Sequence, residues 1–414
     1  MAPDWNGESF HGYLAAFLGP ASQATIVDVA ECGGGHPPQY VNEFWTSRQR
    51  QASRIHEISY RACFKPQLPR FFIDLFTKEG DIVYDPFSGR GTTAIEAGFA
   101  GRQVIANDVN PLSRIITEPR FNPPEVSDVA DRLTHISREG GKAEIDLSMF
   151  YHPGTEGEIV ALRQYLLMRR AKGTEDALDR WIGMVATNRL TGHSDGFFSV
   201  YTLPPNQAVS PESQRRINIK RGQVPEYRDT HELILRKTKS LLSGLTSTER
   251  ENLNRAGKTV RFFTGDARAT HGIPDNTVRL TVTSPPFLDI VQYREDNWLR
   301  CWFCGLDEDA IGCTITMART VGEWEAVMGE VFRELFRITS PGGYVAFEVG
   351  EVRKKTVRLE EHVVPCGLAA GFACEGVLIN QQVFSKTSHI WGIGNNECGT
   401  NTNRIVVFSK AKGS

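Results

Sequence analysis

From Phe71 onward the chain switches repeatedly between helical and strand periodicity. Apolar residues at Phe71, Phe72, Leu75 and Phe76 recur at helical spacing, a Lys78-Glu79-Gly80-Asp81 turn follows, and Ile82-Val83-Tyr84 reads as a short buried strand. A glycine-rich loop, Ser88-Gly89-Arg90-Gly91, opens a helical segment from Thr92 to Ala97. After Gly101, the run Gln103-Val104-Ile105-Ala106 predicts a second strand ending at Asn107-Asp108. Strand, loop, helix and strand in that order begin a parallel α/β sheet. The alternation stops after Pro111 and resumes at Val260-Arg261-Phe262-Phe263. Arg279 to Thr283 predicts the next strand, and Trp324, Val327, Val331 and Leu335 an amphipathic helix closed by Pro341-Gly342-Gly343. Tyr344 to Val349 follows as a strand, about Leu359 to Ala370 as a helix, and Glu375 to Phe384 and Arg404 to Phe408 complete seven strands.

The interrupted stretch holds helix-like pieces, such as Ile159 to Arg170 and His231 to Leu242, around a polar, proline-bearing middle from Thr202 to Tyr227. It predicts a mainly helical insertion. The first 55 or so residues show little periodicity and include Gly33-Gly34-Gly35 and Pro37-Pro38, which predicts an irregular arm. The expected divisions are 1–60 (arm), 61–118 (first part of an α/β domain), 119–257 (insertion) and 258–414 (second part).

With 414 residues, 40% hydrophobic and 23% charged, the chain can bury a substantial core and lies away from the disordered class. No apolar run approaches the roughly eighteen residues of a membrane span, and the first residues lack a signal-peptide pattern, so a cytoplasmic protein is expected. Its eight cysteines are scattered and read as reduced thiols. Cys301-Trp302-Phe303-Cys304 sits in an apolar stretch with no second ligand pair, which favours a packed helix over a zinc site. A net charge of −2 argues against a uniformly basic surface and leaves room for a local basic cleft.

Two stretches carry chemistry. In Asp85-Pro86-Phe87-Ser88-Gly89-Arg90-Gly91-Thr92-Thr93, a glycine loop between strand and helix lets backbone approach a ligand at the helix N-terminus. Asp108, ending the next strand, can hold a ribose hydroxyl of either a nicotinamide or an adenosyl cofactor. The second stretch, Ser284-Pro285-Pro286-Phe287, follows a strand at the edge where open parallel sheets bind ligands. Its double proline stiffens the turn and cannot donate, leaving the Ser284 hydroxyl and the Pro285 carbonyl as acceptors beside an aromatic ring. Two acceptors and a stacking face suit an exocyclic amine on a planar base.

Together and in this order, these stretches resemble motifs I and IV of the DNA methyltransferases that modify exocyclic amino groups. Phe64-Lys65-Pro66-Gln67-Leu68-Pro69 resembles their motif X, Asp108 matches the motif II acid, and Gly265-Asp266-Ala267 with Ile273-Pro274-Asp275-Asn276 and Val278 matches the pattern before the catalytic loop. The resemblance covers about residues 61 to 118 and 258 to 410. It implies a Rossmann-like seven-stranded sheet and S-adenosylmethionine as cofactor. Lys65, Pro66, Asp85, Phe87, Gly89, Gly91, Thr92, Thr93, Asp108, Asp266 and Ala267 would bind it, and Ser284, Pro285, Pro286 and Phe287 would be catalytic. A serine opening motif IV implies cytosine N4 as the target, in double-stranded DNA with the base turned out of the helix. Adenine N6 in DNA, or an RNA base, is the alternative. A carbon-5 enzyme would need a Cys nucleophile in the catalytic loop, and Pro365-Cys366 lies in another element. Methyl transfer from a sulfonium is a direct displacement that needs no metal. A nicotinamide-dependent oxidoreductase would use the glycine loop and leave Ser284 to Phe287 unexplained.

The resemblance leaves open a restriction-modification setting with a cognate nuclease, and it fixes no oligomeric state. The insertion is the candidate target-recognition region. Between Ser210 and Ser240, eight Lys/Arg face four acids, an excess of four that fits phosphates, and Arg215, Arg216, Lys220 and Arg221 are the nucleic-acid candidates there. Thr187 to His193 and Asn206-Gln207 carry base-edge donors and acceptors. Arg353-Lys354-Lys355 forms a second basic cluster, and the polar loop from Lys386 to Arg404 is expected beside the base pocket.

Overall fold

The structure is a computed structural model, and it describes residues 9–20, 22–33, 35–46, 52–60, 63–203, 208–286, 293–314, 318, 320–349, 351–352, 357–381 and 402–412. Its centre is a mixed sheet. The strands are β1 (Ile26–Val29), β2 (Pro38–Asn42), β3 (Ile82–Asp85), β4 (Gln103–Asn107), β5 (Arg261–Phe263), β6 (Val278–Thr283), β7 (Thr339–Val349), β8 (Glu351–Val352), β9 (Val357–Arg358), β10 (Ala373–Gln381) and β11 (Thr402–Ser409). Nine of them form one sheet in the order β1-β2-β10-β11-β7-β6-β3-β4-β5, while β8 and β9 pair separately. From β7 through β6, β3 and β4 to β5 all neighbours are parallel, and β11 runs antiparallel to both β7 and β10.

Seven of the nine are the strands that the hydrophobic pattern predicts, and they form a Rossmann-like α/β sheet. The other two come from the arm. Its residues are not irregular throughout: β2 lies parallel to β10, and β1 pairs antiparallel with β2 at the edge.

Both faces of the sheet are covered, so the central strands are apolar on both sides. Val83, Val104, Ala346, Ile405 and Val407 enter one core with Leu68, Phe72, Ile73 and Ile95. Their neighbours Tyr84, Ile105, Val345, Phe347, Val406 and Phe408 enter the other with Trp324, Val331 and Leu335. This is the two-residue alternation of a strand. A fully buried ring such as Phe72 contributes about 1.5–3 kcal/mol to burial.

The helices of the insertion build a third core around Trp181, Phe150, Tyr151 and Ile234. That core takes in Ile58 and Tyr60, Leu112 and Ile116 behind β4, and Leu299, Cys301, Phe303 and Cys304 of the helix Tyr293–Cys304. The insertion is therefore packed onto the segments that follow both chemistry-bearing motifs. Its expected end at residue 257 shifts. The helix Ser247–Gly257 places Leu253 and Ala256 in the sheet core beside Ala94 and Phe99, so it is the crossover helix leading to β5.

Candidate active site

The order of the strands reverses around β3, whose neighbours are β4 on one side and β6 on the other. A crevice opens there at the carboxyl ends, where open α/β sheets bind ligands. Asp85 ends β3 in this crevice, 1% exposed. Its Oδ1 accepts from the Phe87 amide at 3.1 Å and from the Thr283 hydroxyl at 2.6 Å, while its Oδ2 is buried with no hydrogen-bond partner among the described residues. Burial pushes its carboxyl up to about 7, against the opposing hydrogen bonds from Thr283 and Phe87. Ser88 Oγ is likewise buried and unpartnered among the described residues. Two unsatisfied polar atoms at one loop are costly in a finished fold and suit a ligand that supplies partners.

The glycine loop turns between these acids. Gly89 and Gly91 adopt φ of 50° and 72°, and a Cβ on Gly91 would fall 2.2 Å from Thr117 Cγ2. The Gly89 amide donates to Asp108 Oδ2 at 2.8 Å, and Asn110 donates to Oδ1 at 2.9 Å, which fixes the carboxylate at the end of β4. Burial pushes Asp108 up to about 6. The Arg90 guanidinium ties the loop to the stretch before the Gln67–Phe76 helix by donating to Phe64 O at 3.2 Å and to Ile58 O at 3.5 Å. Lys65 is half-buried nearby, its pKa lowered first by burial and then by Arg90. Pro66 is the N-cap residue of that helix.

Other expected cofactor residues are engaged elsewhere. Thr93 is buried and donates to Val282 O in β6 at 3.0 Å, and Thr92 accepts from Arg90 Nε at 3.2 Å. Ala267 is buried. Asp266 lies past the end of β5, beside β4, but both its oxygens accept from Arg268 Nε, at 3.0 and 2.8 Å. These hydrogen bonds from Arg268 hold its carboxyl below the usual range.

Across the crevice, β6 delivers Thr283 and then Ser284-Pro285-Pro286. Thr283 bonds Asp85, so the turn is anchored to the glycine-loop side of the crevice. Trp324 Nε1 donates to Pro286 O at 3.0 Å, which fixes the far side of the turn. The Ser284 hydroxyl donates to Glu348, a residue that sequence reasoning missed. Glu348 comes from β7, is 8% exposed, and also accepts from the Asn403 amide at the start of β11. Burial pushes its carboxyl up to about 7. An acid inside the apolar run Tyr344-Val345-Ala346-Phe347-Glu348-Val349 was the available signal. Phe287 lies outside the described residues.

The proposed nucleic-acid residues sit on a helix, Pro211–Arg221, that buries only Gln214. Arg215 pairs with Asp146 at 2.7 Å, Arg221 covers the Tyr201 ring at 3.8 Å, Arg216 approaches Glu212 at 3.9 Å, and Lys220 is exposed. The segment entering this helix is bound to the helix Tyr293–Cys304, which follows the Ser284-Pro285-Pro286 turn, through Ala208 N to Asp296 O and Trp298 Nε1 to Val209 O, both 3.3 Å. Lys354, Lys355, Asn206 and Gln207 lie outside the described residues, as does most of the loop expected between Lys386 and Arg404.

Residues 33–116, the span of the glycine loop and Asp108, match the family model described as DNA methylase. The chain is 29% identical over 119 residues to the Type II methyltransferase M.MvaI of Kocuria varians, covering 28% of this chain and 25% of that protein. It is 25% identical over 288 residues to the Type II methyltransferase M.BsoBI of Geobacillus stearothermophilus, covering 62% of this chain and 54% of the relative. These matches support the exocyclic-amino DNA methyltransferase family. The chain thus spans a quarter to about half the length of these two curated relatives. Among solved structures, TrmN from Thermus thermophilus aligns with a TM-score of 0.34 at 14% identity, covering 87% of this chain and 53% of TrmN.

Proposed function

We propose that the chain is a DNA methyltransferase that uses S-adenosylmethionine to methylate an exocyclic amine, N4 of cytosine. The observation that carries the reading is the string Asp85, Thr283, Ser284 and Glu348, which joins the cofactor edge to the catalytic turn across the switch point of the sheet. The crevice fits the cofactor. Asp108 is oriented by two amides to accept from a ribose, the Asp85 Oδ2 and Ser88 Oγ orphans await polar partners near the glycine loop, and Asp266 can share its carboxylate with an adenine amine. S-adenosylmethionine supplies an electrophilic methyl group on a sulfonium.

The chain's own residues orient the nucleophile. The Ser284 proton is held by Glu348, so the lone pairs of Oγ are left to accept from the target amine. The Pro285 carbonyl is the second acceptor, and Phe287 gives a stacking face for a base turned out of the duplex, at an unstacking cost of roughly a few kcal/mol. One amine proton must leave after the nitrogen is methylated, and the Ser284 hydroxyl bonded to Glu348 gives it a route to a carboxylate.

The serine that opens the turn favours cytosine. The test is the product nucleoside: incubation with duplex DNA and labelled cofactor, digestion and mass spectrometry should give N4-methylcytosine. N6-methyladenine would keep the fold and site but reverse the base assignment. No labelled nucleoside from DNA, with label entering RNA instead, would overturn the DNA reading.

A further inference from the structure

Five cations converge where the insertion meets the helix behind the catalytic turn. They are Arg189 just beyond the helix Ala177–Thr187, Arg236 and Lys237 on Thr230–Leu242, Arg300 on Tyr293–Cys304, and Arg54 in the turn Arg54–His56. A Cβ on Gly196 would lie 3.8 Å from Arg189 Nη1 and 4.0 Å from Arg236 Nη2, which sets these two guanidinium groups side by side, and Arg300 and Arg54 are near enough to act on Arg189 and Lys237 respectively. Arg189 and Arg300 are buried, and the Lys237 side chain is 11% exposed. Arg54 and Arg236 are open to solvent at the rim.

The compensation is incomplete. Glu57 pairs with Lys237 at 3.1 Å, and Asp296 acts on Arg300. Glu57 also acts on Arg189, and the other hydrogen-bonding and stacking partners of these arginines among the described residues are neutral. Arg189 donates to Asn188 O at 2.9 Å and stacks on Phe197 at 4.0 Å, Arg236 donates to Asp195 O at 2.8 Å, and Arg300 donates to Asn297 Oδ1 at 3.3 Å. The Asp195 carboxylate is held by Arg228. Among the described residues, five cations face two acids, Glu57 and Asp296, which makes a concentrated positive site in a chain whose net charge is −2. Burying like charges together is unfavourable unless an anion completes the site.

The location says which anion. Arg300 is on the helix that follows Ser284-Pro285-Pro286, and the Arg54–His56 turn leads into Ile58 and Tyr60, where Arg90 of the glycine loop donates to Ile58 O at 3.5 Å and the Tyr60 ring would lie 3.4 Å from a Cβ on Gly89. The cations therefore flank the same cleft that the preceding reading assigns to cofactor and base. We propose that Arg189, Arg236, Lys237 and Arg300, with Arg54 at the rim, form a binding site for a backbone phosphate of the substrate strand, close to the extruded nucleotide. This rests on the DNA methyltransferase reading. A free inorganic anion shares the chemistry and is separated by the test.

The test compares the wild type with Arg236→Gln and with the double variant Arg54→Gln/Arg236→Gln, both at solvent-open positions, after thermal melting shows that each is folded. Duplex affinity is measured by fluorescence anisotropy across a salt series, and inorganic phosphate is titrated calorimetrically in parallel. The expected result is a log–log salt slope shallower by roughly 0.9 for each phosphate no longer neutralised, with duplex affinity about tenfold weaker and S-adenosylmethionine affinity unchanged. A wild type that binds DNA with a steep slope, matched by variants of identical slope, overturns the phosphate site alone. Phosphate binding that the variants lose while the DNA slope stays the same assigns the cluster to a small anion and overturns it too. A wild type that binds no DNA overturns the functional reading together with the proposal.

Discussion

Glu348→Gln separates chemistry from stability because it should move them in opposite directions. In the folded protein burial raises the Glu348 pKa from 4.5 to about 7, and its carboxylate accepts from Ser284 and Asn403. Below about pH 4.5 the group is protonated both folded and unfolded, and the fold bears no penalty. Between about 4.5 and 7 the unfolded chain ionises first, so stability falls as pH rises. Above 7 the penalty is complete, roughly 3 kcal/mol at 1.36 kcal/mol per tenfold change in the equilibrium. The glutamine variant should therefore melt higher than wild type near pH 8 and equally near pH 4.5. Its chemistry should suffer. Losing a charge-assisted hydrogen bond that keeps Ser284 Oγ available as an acceptor costs about 1.5–3 kcal/mol, a ten- to hundredfold slower single-turnover rate. Wild-type rate should rise with pH through about 7 as Glu348 ionises, and the variant profile should lose that limb. Asp85 is also pushed to about 7, so a limb that persists in the variant assigns the titration to Asp85. An unchanged rate with an unchanged profile would refute the role of Glu348.

Asp108 accepts best from a ribose when ionised, and burial holds its pKa near 6; S-adenosylmethionine affinity measured by calorimetry should climb through that pH and be about tenfold weaker near pH 5 than on the plateau. Ser284→Ala removes one of two amine acceptors and should slow single-turnover methylation by roughly one to three orders of magnitude. Phe287→Ala should mainly weaken capture of the flipped base, by roughly 1–3 kcal/mol, read by base-flipping fluorescence. On the exposed helix Pro211–Arg221, Arg216→Ala and Lys220→Ala should flatten the salt dependence of duplex binding more than Arg215→Ala or Arg221→Ala, since Arg215 is committed to Asp146 and Arg221 to the Tyr201 face.

Hydrophobic pattern made the seven core strands readable because most are apolar runs covered on both faces and bounded by turn residues, with only the edge strand β5 half-buried throughout. The same logic could not find β1 and β2. All four residues of β1 are exposed at the sheet edge, leaving no buried face for the pattern to mark. Strand β2 opens with Pro38 and draws its neighbour β10 from more than three hundred positions away, as the Trp45 N to Asn380 Oδ1 bond shows with its separation of 335 residues. The helix Ser247–Gly257 is polar over most of its length and buries only Leu253 and Ala256, so it reads as part of a surface insertion. Its role as a crossover becomes visible only in the core it shares with Ala94 and Phe99.

At the site, glycines and prolines were legible because backbone conformation selects them locally: Gly91 sits at positive φ against Thr117, and no side chain fits there. Glu348 and the Arg189 cluster were not legible, since each acquires meaning from partners on other strands or helices. That dependence also makes the insertion more than an appendage. One core joins Leu112 and Ile116 behind Asp108, Leu299 and Phe303 behind Ser284, and Trp181 and Ile234 of the insertion. Close-packed interiors transmit displacement poorly by bending and well by moving as blocks. A duplex bound on the helix Pro211–Arg221 would therefore be registered against the catalytic turn through packed side chains and the Trp298 to Val209 bond, rather than through a free linker. On the proposed reading, the Thr283 to Asp85 bond would carry the same registration on to the glycine loop, so that DNA, target amine and cofactor would be positioned by one continuous packed unit.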